Sequence, residues 1–121
     1  MKILLASIIT LLSSCTHYRA ISFEELVSKN IIGKWEMSLP PYYINIQCDG
    51  TLSFVKPSKY LYADQNGKNF VITQLKEDAI ITGPVIRYDF KVEEWPHDVD
   101  GRILMTIDGR VWNKTQNYKC E

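Results

Sequence analysis

The densest group of titratable side chains in the sequence is Glu93, Glu94, His97, Asp98 and Asp100, with Trp95 and Pro96 set among them. Paired carboxylates beside an imidazole are the residue types of general acid and base catalysis, and histidine is the side chain that changes charge nearest neutral pH. The chain holds two histidines, His17 and His97, and His17 lies far upstream. Any triad would therefore depend on His97 alone. No zinc spacing, glycine-rich phosphate loop or nucleophile elbow accompanies it. Against the full calcium-loop pattern, Asp98-Val99-Asp100-Gly101 leaves Pro96 at the first ligand position and Ile107 at the last, so that pattern fails. The charge run reads as a solvated loop over Trp95 to Gly101. The chain reads as a non-enzyme with no cofactor and no metal site.

The strongest chemical signal lies at the other end. Lys2 precedes an apolar run from Ile3 to Leu12, followed by Leu12-Ser13-Ser14-Cys15. One positive charge, about ten apolar residues and small residues at the exit fit a secretory signal, and the run is too short to span a bilayer. The segment resembles the signal of bacterial lipoproteins, whose lipobox has Leu three places before the modified Cys with small residues between. That resemblance implies removal of residues 1–14, acylation of Cys15, and a lipidated tether over residues 15–21. Stable anchoring needs at least two acyl chains, which such a residue would carry, so the membrane is an expected partner. Thr16 stands where an Asp would resemble the inner-membrane retention signal, which implies an outer-membrane position facing the periplasm.

Removing 14 of 121 residues leaves enough chain for one small domain, residues 22–121. Only Lys2 is lost from the basic residues, so 13 Lys and Arg face 14 Asp and Glu. Such balance, with no basic patch, argues against nucleic acid or an anionic membrane surface as an electrostatic partner. Of three cysteines, Cys48 and Cys120 remain after acylation of Cys15. In an oxidising compartment they are expected to form a disulfide, and neither has a second Cys or His at ligand spacing.

Ser22-Phe23-Glu24-Glu25 predicts a short helix with a capping box, Ser22 and Glu25 each satisfying an amide, and an apolar face of Phe23, Leu26 and Val27. Asn30 and Gly33 end it. From Ile31 onward, short alternating runs separated by turn residues predict an all-β antiparallel meander or barrel. The expected strands are Ile31 to Met37, Tyr43 to Gln47, Leu52 to Lys56, Tyr60 to Ala63, Asn69 to Leu75, Ala79 to Thr82, Val85 to Val92, Arg102 to Ile107 and Arg110 to Lys114. Expected loops are Asp64 to Gly67, Lys76 to Asp78, Trp95 to Gly101 and Asp108-Gly109, with Pro84 marking a bend or break.

Two hairpins can be registered from the pattern. A three-residue Cys48-Asp49-Gly50 loop, with Gly50 left-handed, sets Ile46 opposite Leu52 and Ile44 opposite Phe54 on one face. A two-residue Asp108-Gly109 turn groups Ile103, Met105 and Ile107 with Trp112.

Gly33-Lys34-Trp35 at the start of the first strand, after a short helix and before the Asp49-Gly50-Thr51 hairpin, resembles the lipocalin-like bacterial lipoproteins. The resemblance implies that Trp35 closes the base of a barrel, that Gly33 permits close chain approach, and that a later arginine, here Arg110, stacks on the Trp. A second resemblance is to lipoproteins that inhibit lysozyme, through Tyr43-Ile44-Asn45-Ile46-Gln47-Cys48-Asp49-Gly50 and the terminal Cys120. Their Ser-Ala-Ser-Gly-type loop has no counterpart here, so what this likeness implies is a related inhibitor or immunity role.

Trp35 and Trp112 read as core residues. Trp95, Tyr42 and Tyr43 are the candidate binding residues, Trp95 in its loop and the tyrosines at a barrel mouth. Two functions follow: a lipocalin-like binding lipoprotein holding a small apolar ligand, or a tethered protein that blocks a toxin or cell-wall hydrolase. A cavity of about 300 Å3 or more lined by apolar side chains favours the first, and a filled barrel with Trp95 and the acidic loop protruding favours the second.

Overall fold

The computed structural model describes residues 21–38, 41–57, 64–83 and 87–120. The expectations for the signal segment, Cys15, His17, the strand Tyr60 to Ala63 and Pro84 lie outside the described residues. The chain runs through α1 (Phe23–Ser28), β1 (Gly33–Glu36), β2 (Tyr43–Ile46), β3 (Thr51–Lys56), β4 (Gln65–Lys76), β5 (Ala79–Gly83), β6 (Asp89–Val99), β7 (Arg102–Ile107) and β8 (Arg110–Gln116). Every sequential pair of strands is antiparallel, and β8 returns to β1, so the sheet is a closed eight-stranded barrel. The all-β reading holds.

Alternation builds the core. Ile44 and Ile46 of β2 face Phe54 and Leu52 of β3 in the expected register, and the Cys48-Asp49-Gly50 loop is closed by Gln47 and Thr51, with Gly50 at φ 87°. Asp108-Gly109 is the expected two-residue turn, with φ 53° and 75°, and it places Met105 opposite Trp112. Trp35, Trp112, Phe54 and Phe90 are the largest buried side chains. Slipping the first hairpin by one residue would turn Phe54 out to water, and slipping the second would do the same to Trp112.

The barrel has two ends. At the base lie α1, the Cys48-Asp49-Gly50 loop, the Glu77-Asp78 and Asp100-Gly101 turns, and the C-terminal tail, tied by the Cys48–Cys120 disulfide with its Cα atoms 5.6 Å apart. Ile21, the one tether residue described, is buried there and donates its amide to the Ile72 carbonyl at 2.8 Å. The opposite end, the mouth, carries the Asp108-Gly109 turn, the end of β3 and the starts of β4 and β6.

Five expectations are corrected. Gln65 to Gly67 are strand, paired with Lys56 to Phe54, because Gly67 leaves room for the Phe70 and Phe54 rings that pack over it. Trp95 to Val99 are also strand: register shifts after Val92 and Glu94 absorb Pro96, whose missing amide the ladder does not need there. The turn shrinks to Asp100-Gly101, at φ 52° and 83°. Of the strand expected from Val85, β6 proper begins at Asp89, with the Tyr88 carbonyl just ahead of it accepting the Thr82 amide at 3.2 Å. In α1 the Ser22 side chain accepts from the Glu25 amide at 3.3 Å, but the Glu25 carboxylate meets the Ser22 hydroxyl rather than its amide. Only Leu26 of α1 is buried, while Phe23 and Val27 are exposed.

Candidate functional site

The base is sealed. Trp35 donates its indole NH to the Ile31 carbonyl at 2.9 Å and is fully buried. Lys114 lies 5.1 Å from its ring centroid and donates to the Asn30 carbonyl at 3.0 Å. Arg110 was the residue expected on that ring, yet it pairs with Ile107 at the mouth. The cation over Trp35 is Lys114 because Trp35 is registered against it, four residues further along β8. A side chain on Gly33, at φ 146°, would run into the Gln116 carbonyl, so a glycine lets β1 reach β8 at this bulge. Burial lowers the Lys114 pKa.

Trp95 also belongs to the base end. It is half-buried, packs against the core, donates its indole NH to the Glu77 carbonyl at 2.8 Å, and has Lys29 at 4.7 Å over its ring. Tyr42 sits at the opposite end, where its hydroxyl donates to Asp64 at 2.9 Å. That hydrogen bond raises the Tyr42 pKa, and the charge of Arg110 opposes the rise. Tyr43 is half-buried with Lys34 5.5 Å from its ring centroid. The structure thus does not bring Trp95 together with the two tyrosines. His97 contacts Glu94 at 3.3 Å as an exposed pair, and among the described residues no three His, Cys, Asp or Glu side chains gather as a metal site.

A cleft of about 650 Å3 opens at the mouth. Its floor is apolar where Trp112 and Ile107 come up from the core, and Tyr88, Gln65 and Pro57 form walls. The period of two in β3 carries Leu52, Phe54 and then Lys56 onto the inner face, so a lysine points into the lumen. It is ion-paired with Asp108 and lies 4.8 Å from the Tyr88 ring and 5.3 Å from the Phe90 ring. Tyr88 donates its hydroxyl to the Gln65 side-chain oxygen at 2.6 Å, and its ring joins the stack of Phe54, Phe70 and Phe90.

No family model, curated protein or solved structure matches the chain. The mouth must therefore be read from its own chemistry. Lys56, Tyr88, Asp108 and Trp112 were not singled out as a site from the sequence, although the alternation Leu52, Phe54, Lys56 carried the signal. A charged residue on the inward phase of a strand marks a polar opening in a barrel interior.

Proposed function

We propose that this chain is a membrane-anchored envelope lipoprotein whose barrel binds a small ligand at its mouth without chemical turnover. The cleft carries the reading: about 650 Å3 falls within the range of small-molecule sites, on a barrel whose base is otherwise filled by its own side chains. Its mixed lining replaces the purely apolar ligand expected from the sequence with an amphipathic one. The alternative, an inhibitor or immunity protein, rests on the Tyr43 to Gly50 and Cys120 likeness, and the protruding Trp95 loop that would favour it is absent because Trp95 is strand and packed. The lipobox supports the anchor.

The test is to purify the chain from cell envelope and analyse it by mass spectrometry, protein and organic extract together. The reading expects an acylated Cys15 and a small molecule recovered near one per chain. A stoichiometric protein partner with an empty extract would replace it with the inhibitor reading, and an unlipidated N-terminus would remove the anchor.

A further inference from the structure

We infer that the mouth selects an organic anion, a carboxylate on a flat apolar body, over an uncharged molecule of the same shape. The inference rests on the reading of the mouth as a ligand site and concerns what that site recognises. Its rim is formally balanced, with Lys56, Lys91 and Arg110 against Asp89, Glu93 and Asp108. The balance does not survive inspection of partners. Asp108 is held by Lys56 and by the Lys91 amide at 3.2 Å. Asp89 is held by Arg87 at 3.1 Å, and Glu93 accepts the Gly109 amide at 3.0 Å.

Every acid at the rim thus has a donor. Of the rim cations only Lys56 is matched: among the described residues, Lys91 and Arg110 have no carboxylate within 4.0 Å. Glu93 keeps its charge, because its donor is a neutral amide, so what the rim offers a ligand is two cations with no carboxylate of their own among the described residues, Lys91 and Arg110. Arginine presents a planar fork that fits a carboxylate through two parallel hydrogen bonds, and Lys91, on the outward phase of β6 between Phe90 and Val92, adds a point charge from the outer lip of the cleft. Below them, half-buried Tyr88 lines the cleft above the buried Trp112 and Ile107, an apolar surface against which the body of the ligand can rest. An uncharged molecule in the same place would cover the two cations without replacing their water, which opposes binding.

Equilibrium dialysis tests this with the lipidated chain in nanodiscs, empty nanodiscs as blank, and two probes alike except in charge, 2-naphthoate and 2-naphthamide. Naphthoate should bind about tenfold more tightly at low salt, a gap of the size one ionic contact supplies. In the double variant Lys91→Gln, Arg110→Gln the gap should close to about twofold, the melting temperature confirming that the barrel stands. Equal binding of both probes to the unmodified chain, or a gap that persists in the double variant, overturns the anion selectivity while the ligand-binding mouth stands. Failure of both probes to bind at any soluble concentration removes the mouth as a binding site as well.

Discussion

Lys56 and Asp108, 52 residues apart, form an ion pair inside the barrel mouth, with the lysine nearly buried and the aspartate at the first position of the β7–β8 turn. The pair ties the end of β3 to a turn on the other side of the lumen. Breaking a buried pair by removing one partner costs about 3–5 kcal/mol, and the partial exposure of Asp108 argues for the lower end or somewhat less, about 2–3 kcal/mol.

Asp108→Asn isolates that coupling, since asparagine tolerates the positive φ of the turn. Urea unfolding should show Asp108→Asn and Lys56→Met each destabilising by about 2–3 kcal/mol, with the double variant well short of their sum. Strict additivity would mean that the two charges do not act together.

Cys48→Ser with Cys120→Ser should lower stability by about 4 kcal/mol, because the bridge spans a sequence separation of 72 and constrains the unfolded chain accordingly. The same loss should appear when the unmodified protein is reduced. The tail retains the hydrogen bond from Tyr118 to Asn45, so the barrel strands should remain paired at low temperature. Thermal melts with and without reductant measure both points, and no shift on reduction would contradict the bridge.

Gly33→Ala should cost at least about 1–3 kcal/mol, because the added methyl meets the Gln116 carbonyl and the backbone holds a positive φ. Urea denaturation checks it, and a neutral result would deny that β1 approaches β8 closely there.

The lysine over Trp35 gives a pH signature. Burial lowers the Lys114 pKa from 10.5, so between its folded value and 10.5 the unfolded chain holds a proton that the folded chain has released. Stability therefore rises with pH through that window, and the penalty is fully present below the folded value. Lys114→Met keeps the stem against Trp35 and should flatten this rise. Equal slopes in the two proteins, from unfolding free energies measured up to pH 10.5, would reject the burial.

Asp49 behaves in the opposite sense. The Thr51 hydroxyl and amide, both donating to its carboxylate, lower its pKa from 3.8. Its contribution is present above 3.8 and is lost as pH falls through the folded value. Thr51→Val, which keeps only the amide donor, should move the carboxylate resonance midpoint of Asp49 in an NMR titration back toward the usual range.

Much of this fold is legible in the residues because alternation and turn chemistry agree. Ile44, Ile46, Leu52 and Phe54 allow one register, and Asp108-Gly109 permits one turn. Two of the misreadings share one cause: turn-type residues in Gln65-Asn66-Gly67 and Trp95 to Val99 are held as strand by long-range pairing that local sequence does not encode. The lysine cap on Trp35 depended on where the β1–β8 bulge falls, which sets Lys114 rather than Arg110 against the indole. The mouth was hidden for a further reason: its members come from β3, β4, β6, β7 and β8, and only closure of the sheet puts Lys56 beside Asp108.

Ile21, Cys120 and the disulfide all lie on the sealed side of the molecule. Whatever is joined ahead of Ile21, be it a fatty acyl group, a purification handle or a fused protein, therefore pulls on the closed face, at the end away from Lys56 and Asp108. Immobilising the protein through its leading segment should present the opposite end uniformly to solution, which makes surface-based affinity measurements practical without further engineering.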